Sequence, residues 1–237
     1  AARRQARREI GQALDDLFDD VFKANQSTES RAYAWNVNDA GQRAIKNVAL
    51  SYLIAGQPGV HLFTALAQFD LQHNMTDVRS AFGHILNHAD SAVRQQRIQA
   101  FYESHKDNAL AINQWFSDQA LADTPKVLEH VKALLTHEAY EAKNPNSVRG
   151  LVGAFTMNTV HFHNKDGSGY AFLADQVIEV DTFNPSLASG LAKRLTTAHK
   201  YDKARQQLIK AQLERIRDNV NSRNVTEVVT RSLEVLK

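Results

Sequence analysis

The sequence contains no cysteine. Disulfide bonds and thiolate metal sites are therefore excluded within this chain, and the composition suits a reducing compartment. We accordingly expect a cytoplasmic protein. No apolar run reaches the roughly 20 residues that a membrane-spanning helix needs, so we expect no membrane partner.

Glycine and proline are scarce, with 10 and 4 copies in 237 residues. Strands joined by hairpins need more of these turn-forming residues, which argues against a β-rich fold. Proline suits the first position of a helix, and a preceding Thr or Asn can cap it. Three helix starts with such caps are predicted, and a fourth at Pro58 after Gly56. The three capped starts are Thr124-Pro125, Asn144-Pro145 and Asn184-Pro185.

Neither sign of charge dominates, because the net charge is only +2. That value gives no argument for nucleic acid. Arginines at the N-terminus are followed by aspartates on the same predicted helix, which is typical of a solvated or internally paired face. These residues are Arg3, Arg4, Arg7, Arg8, Asp15, Asp16, Asp19 and Asp20. We expect no nucleic-acid partner.

The apolar residues of the sequence recur with a helical period. Ile45, Val48, Ala49, Tyr52 and Leu53, for example, fall on one helical face. The pattern predicts an all-α fold of about 12 helices. The predicted ranges are 4–24, 39–55, 58–72, 76–90, 92–105, 109–120, 125–136, 145–155, 168–182, 185–198, 200–219 and 225–236.

A weak internal repeat indicates how these helices are arranged. Asn144-Pro145-x-x-x-x-Gly150-Leu151 recurs 40 residues later as Asn184-Pro185-x-x-x-x-Gly190-Leu191. This offset matches one helix pair of HEAT or armadillo repeats. We therefore predict one helical-repeat superhelix (an α-solenoid) over residues 1–237. Glycine inside a helix is unfavourable, so Gly150 and Gly190 predict close approaches of neighbouring helices.

Two histidine-containing patterns resemble metal sites, and neither is sufficient. His137-Glu138-Ala139-Tyr140-Glu141 differs from the zinc motif H-E-x-x-H at its second ligand, and we interpret it as a polar helix end. His84 and His88 share a helical face but need a third ligand, for which His161 and His163 are candidates. We predict no metal site and no catalytic residue in this chain.

The glycine-rich stretch Asp166-Gly167-Ser168-Gly169-Tyr170 lacks the spacing of a phosphate-binding loop. We interpret it as a turn between helices, with Ser168 as the N-cap and Tyr170 as an anchor. Three basic residues on the two repeat-related helices are candidates for a concave surface that meets an acidic group. They are Arg149, Lys193 and Arg194, and ordinary surface charge is the simpler interpretation of the last two.

A series of short segments, in this order, resembles the C-terminal domain of the bacterial aminopeptidase N family, zinc metallopeptidases of the gluzincin class. The resemblance covers nearly the whole chain and is most specific from residue 144 onward. The segments are Ile45-Lys46-Asn47-Val48, Asn74-Met75-Thr76-Asp77, Trp115-Phe116, the run from Asn144 to Phe155, Asp166-Gly167-Ser168-Gly169-Tyr170-x-Phe172, Asn184-Pro185-x-x-Ala188-Ser189 and Tyr201-Asp202-x-x-Arg205-Gln206.

The resemblance implies that the chain, which does not begin with Met, is one domain of a larger peptidase. The zinc ion and its H-E-x-x-H motif would then lie upstream, in a catalytic domain of the same polypeptide. This domain would close the active site and line the channel for peptide substrates, with Arg149 facing the channel. Several relatives carry a second arginine where this chain has Gly190, so a role shared by two arginines is not expected.

Two further expectations follow. The isolated segment should expose an apolar patch where the catalytic domain packs, and should therefore self-associate. The alternative interpretation is a free-standing helical-repeat scaffold that binds a protein or nucleic-acid partner on its concave face.

Overall fold

A computed structural model describes residues 2–26 and 34–236, and within these two stretches every regular element is a helix. The predicted all-α fold is thus confirmed. The α-helices are α1 Ala2–Ala13, α2 Asp15–Ala24, α3 Val37–Gly56, α4 Pro58–Leu71, α5 Met75–His88, α6 Ser91–His105, α7 Ala109–Ala120, α8 Val127–Leu134, α9 Pro145–Val148, α10 Thr159–Phe162, α11 Ser168–Asp181, α12 Pro185–Ala192, α13 Lys203–Asn219 and α14 Arg223–Val235. A π-helix spans Arg149–Gly153, and 3₁₀ turns span Lys193–Leu195 and Ala198–Lys200.

Side-chain caps start many of these helices. Asn144 accepts a hydrogen bond from the backbone N–H of Asn146, and Asn184 accepts one from Leu187, so both predicted caps are confirmed. The predicted cap at Thr124 is wrong. Residues 124–126 form a turn instead, and α8 begins at Val127, whose N–H donates to the Thr124 carbonyl at 3.1 Å.

The chain divides into two compact units, Ala1–Glu103 and Ser104–Lys237. In the first unit, α1 and α2 both pack on α3, and α4 packs on α5. The single helix predicted over 4–24 is interrupted, because Leu14 leaves the helical backbone conformation. The break lets each piece follow α3: Gly11 of α1 lies against the Tyr52 carbonyl, and Phe18 of α2 stacks on the Tyr52 ring at 4.6 Å.

A buried ion pair links α3 to α5 in this unit. Lys46 and Asp77 are only 6% and 5% exposed, and Lys46 Nζ donates to Asp77 Oδ2 at 2.6 Å. The side-chain amides of Asn47 and Asn74 also donate to the carboxylate, at 2.8 and 2.9 Å. Two of the segments that carried the family resemblance therefore meet in one polar cluster.

In the second unit, α11 packs on α12 and α13, and α12 and α13 pack on α14. Its core is rich in fully buried aromatic rings, among them Trp115, Phe116, Phe155, Phe162 and Tyr170. The range 145–155, predicted as one α-helix, is a short α-helix followed by the π-helix. The prediction of one domain over residues 1–237 stays a prediction.

Only one of the two repeat-related glycines marks a close approach. A Cβ atom on Gly150 would lie 2.9 Å from the Asn113 carbonyl oxygen of α7, closer than van der Waals contact allows. A Cβ atom on Gly190 would meet no atom within 4 Å, so the predicted close approach there is wrong. The two copies of the pattern therefore pack differently.

Candidate functional site

Arg149 is the first residue of the π-helix and is exposed. Its Nη1 atom lies 3.4 Å from Asn146 Oδ1, and no carboxylate pairs with it within the described parts of the chain. π-Helical turns occur frequently at functional sites, because the wider turn changes the direction of the side chains it carries. The guanidinium is thus available for a planar acceptor such as a carboxylate.

The backbone beneath Arg149 is held firmly against α7. The Ser117 hydroxyl lies 2.8 Å from the Gly150 carbonyl oxygen and 3.0 Å from that of Asn113, so one O–H is shared between them. The absence of a side chain at Gly150 permits this contact. Helix α7 therefore supports the π-helix directly.

The chain that follows the π-helix is anchored to the same helix α7 at Asn158. The Asn158 side-chain amide is buried and donates to the carbonyls of Ala120 and Ala122, at 3.1 and 2.9 Å. These two carbonyls lie at the last residue of α7 and two residues beyond it, where helix geometry leaves such groups without intrahelical partners. Arg149 is consequently an exposed side chain that immediately precedes a backbone segment held against α7 at Gly150 and near its end at Asn158.

The other two basic candidates, Lys193 and Arg194, are exposed in the 3₁₀ turn that ends α12. Positive side chains are favourable at this end of a helix, where unpaired carbonyls concentrate negative charge. Their placement has this local explanation, and their role on a shared concave surface with Arg149 stays a prediction.

His137 and Glu141 do not share a helical face, because residues 135–143 form turns between α8 and α9. The His137 ring packs on Trp115 and Phe116, with centroids 5.1 and 6.0 Å apart. Its Nδ1 atom accepts a hydrogen bond from the Ala139 N–H at 3.2 Å. This half-buried histidine therefore packs against the aromatic core.

The ring centroids of His84 and His88 are 6.5 Å apart on α5. Burial, followed by the charges of His88 and Arg7, lowers the pKa of His84 to about 4. The suggested third ligands are engaged elsewhere, since His161 pairs with Asp123 at 2.9 Å. Across residues 2–26 and 34–236, no three His, Asp or Glu side chains converge as a metal site.

His163 lies at the centre of a network that sequence reasoning missed. Its Nδ1 is 2.9 Å from the Tyr170 hydroxyl, and its Nε2 is 2.9 Å from the Tyr201 hydroxyl. Arg205 Nε donates to the His163 carbonyl at 2.9 Å. Two of the family-like segments meet here, which was the available signal, but only the fold shows that a histidine joins them.

The network favours neutral groups. Burial and then the positive charge of Arg205 lower the pKa of His163, and burial raises the pKa of Tyr170 to about 12. A neutral imidazole donates with one nitrogen and accepts with the other, so it can satisfy both tyrosines. This arrangement joins the start of α13 to the start of α11. Both ring nitrogens of His163 and both tyrosine hydroxyls are engaged within it, so its role is structural.

Ser168 is not the N-cap of α11, contrary to the prediction. Gly167 occupies that position with a φ of 73°, and the carboxylate of Asp166 accepts from the Ser168 N–H and hydroxyl, at 2.9 and 2.7 Å. These hydrogen bonds lower the pKa of Asp166. Tyr170 is fully buried, in agreement with its predicted role as an anchor.

None of the helices in the described residues is both long enough and apolar enough to cross a membrane.

Comparison with known proteins agrees with the family resemblance. Residues 1–234 match the model of a domain family described as a domain of unknown function, DUF3458_C, with ARM repeats. Aminopeptidase N from Caulobacter vibrioides is 34% identical over 238 residues, covering 98% of this chain and 27% of the relative. Aminopeptidase N from Escherichia coli is 33% identical, with coverage of 95% and 26%.

A solved structure is also closely similar. The crystal structure of Legionella pneumophila aminopeptidase A in complex with aspartic acid matches with a TM-score of 0.90 and 29% identity. The match covers 98% of this chain and 28% of that one. The chain thus spans about a quarter of the length of these relatives.

Proposed function

Because the chain belongs to the DUF3458_C family of ARM-repeat domains, we propose that it is the C-terminal, non-catalytic domain of a zinc aminopeptidase N. The observation that carries this proposal is how the sequences align: nearly all of this chain matches only about a quarter of the length of each aminopeptidase. The parent enzyme would remove N-terminal residues from peptides, and this domain would close its active site from solvent.

In this proposal the zinc site lies in the catalytic domain of the parent enzyme, outside this chain. The described residues do not fit a zinc ion, since no three His, Asp or Glu side chains converge among them and both ring nitrogens of His163 are engaged by tyrosine hydroxyls. When bound in the parent, zinc would supply an activated water. No step of that reaction is assigned to a residue of this chain.

We assign Arg149 to the substrate channel of the parent. The support is physical: a permanently charged, exposed guanidinium precedes a backbone segment that is held against α7 from Gly150. Such a group can orient an approaching peptide by its C-terminal carboxylate. A small effect is expected, because exposed ion pairs contribute about 1 kcal/mol or less.

The first test uses the isolated chain. We expect no hydrolysis of aminoacyl p-nitroanilides, with or without added zinc. Zinc-dependent hydrolysis by the pure chain, retained through gel filtration and abolished by a chelator, would contradict the proposal.

The second test uses the complete polypeptide encoded by the reading frame that contains this chain. We expect Arg149→Ala to raise KM up to about fivefold for a peptide with a free carboxylate. The C-terminal amide of the same peptide should show no change, and Arg223→Ala, at another exposed arginine of the second unit, is the matched control. An equal change in KM for the peptide acid and the peptide amide would contradict the assignment of Arg149 to the channel.

Cytoplasmic location and self-association of the isolated chain stay predictions. Cell fractionation addresses the first. Light scattering over a range of concentrations addresses the second, and a strict monomer at high concentration would count against it.

A further inference from the structure

Helix α4, Pro58–Leu71, is apolar on two opposite faces. Its inner face buries Ala65 and Phe69 in the core of the first unit. Its outer face exposes Val60, Phe63 and Leu71, which are 61%, 76% and 63% exposed. A helix that is hydrophobic all round is normally buried on all sides, so the outer face requires an explanation.

The outer residues form one continuous surface, which we call the α4 stripe: Val60, Phe63, Ala67 and Leu71. Their spacings of three, four and four residues place them on a single helical face roughly 16 Å long. Among the exposed large apolar residues of the chain, three thus fall within one helix and on one side of it.

The stripe carries no available charge. Asp70, the only Asp, Glu, Lys or Arg in α4, lies 2.8 Å from Arg97 Nη2 as an ion pair. His61 is turned inward, with Nε2 2.9 Å from Asp15 Oδ1. A partner selected by charge, such as nucleic acid or an anionic peptide, would find no complementary group here. The matching surface must itself be apolar.

The area of the α4 stripe distinguishes between two kinds of partner, a separate protein and another domain of the same polypeptide. From the exposed fractions, and ~200 Å² for a phenylalanine ring, its side chains offer roughly 300–400 Å². A stable complex of separate proteins buries ~800 Å² per partner, about twice as much. Interfaces between domains of one chain bury roughly 600–1,500 Å² in total, which the stripe can meet at the lower end. A tethered partner needs less area because its effective concentration is high.

We infer that the α4 stripe is covered by an apolar surface of another domain of the same polypeptide. This inference rests on the proposed function, under which about three quarters of the polypeptide lies outside this chain. It adds to that proposal the face through which the domain packs, and it makes Phe63 the central contact residue.

The test places a photo-crosslinking p-benzoylphenylalanine at position 63 of the complete polypeptide. Gln96, exposed on the polar surface of α6 in the same unit, takes the probe in the matched control. After irradiation, crosslinked peptides are identified by mass spectrometry, and intramolecular products are separated from intermolecular ones by size. We expect position 63 to crosslink within one polypeptide to a peptide outside residues 1–237, in at least tenfold higher yield than position 96.

A second measurement compares melting temperatures of Phe63→Asp. In the isolated chain the substitution should shift Tm by no more than about 1 °C, because the side chain is already largely in water. In the complete polypeptide it should lower the Tm by several degrees, because it places a carboxylate in an apolar interface. Equal shifts in the two proteins would overturn the inference.

Crosslinks from position 63 only between two copies, or none above the control, would also overturn it. Aminopeptidase activity of the same preparation is read separately. An active enzyme without the expected crosslink would refute the inference and leave the proposed function intact. The expected crosslink in a polypeptide without aminopeptidase activity would refute the proposed function and retain the interface.

Discussion

The buried pair of Lys46 and Asp77 should be the most sensitive polar contact of the first unit, and its two partners should not be equivalent. Removing Asp77 leaves the Lys46 ammonium buried without the carboxylate to which it donates, and also removes the acceptor of the Asn47 and Asn74 amides. Removing Lys46 leaves a carboxylate that still accepts those two amide hydrogen bonds. Asp77→Ala should therefore be more harmful than Lys46→Met.

The magnitudes follow from the cost of leaving one charge of a buried pair alone, which is about 3–5 kcal/mol. We expect Asp77→Ala near the upper limit and Lys46→Met near the lower limit of that range. The double variant should be more stable than Asp77→Ala alone, because no uncompensated ammonium remains buried. A single domain has a total stability of roughly 5–15 kcal/mol, so these effects are large.

Guanidinium unfolding followed by circular dichroism measures the overall loss. Because the chain contains two compact units, their transitions need not coincide. Hydrogen exchange of α3 and α5 therefore reports the affected unit, and α11 serves as an internal reference. The reasoning is refuted if Lys46→Met costs as much as Asp77→Ala, or if Asp77→Ala costs less than about 1 kcal/mol.

Two further predictions concern glycine and histidine. Gly150→Ala should destabilise by about 1–3 kcal/mol through overpacking against Asn113, whereas Gly190→Ala should stabilise by up to about 1 kcal/mol; denaturant melts that rank them the other way would contradict the packing described. The fold favours neutral His84, whose pKa falls from the ordinary 6.5 to about 4. Its contribution to stability is therefore complete above pH 6.5, and at most about 3 kcal/mol is lost as the pH falls toward 4. The stability difference between wild type and His84→Gln, measured from pH 7 to 4, should decrease accordingly, and a constant difference would refute it.

The helices themselves were largely predictable, because periodicity and caps are local properties. Asn144-Pro145 and Asn184-Pro185 start helices as predicted, since the cap needs only the backbone N–H groups two or three residues away. Thr124-Pro125 looked equivalent and is not, because a turn at residues 124–126 delays the helix to Val127. A local signal permits a helix start without requiring it.

The candidate site was only partly predictable. Arg149 was identified through the family resemblance, but its placement on a π-helix depends on Gly150 meeting Asn113 and Ser117 of α7. Gly190 occupies the same place in the repeated pattern and meets no neighbour at all. The same sequence pattern therefore packs in two different ways, because the neighbouring helix that decides the packing at the glycine is not encoded in the pattern itself.

The sequence alone determined the all-helical class and most helix boundaries, because both depend on spacing within about one or two turns of a helix. It also identified the family, because nearly the whole chain carries the matching segments. Tertiary structure alone decided that His163 joins Tyr170 to Tyr201, that Lys46 and Asp77 form a buried pair, and that the outer face of α4 is left uncovered. Those outcomes depend on which distant segments meet, and burial, charge pairing and exposure exist only once they have met.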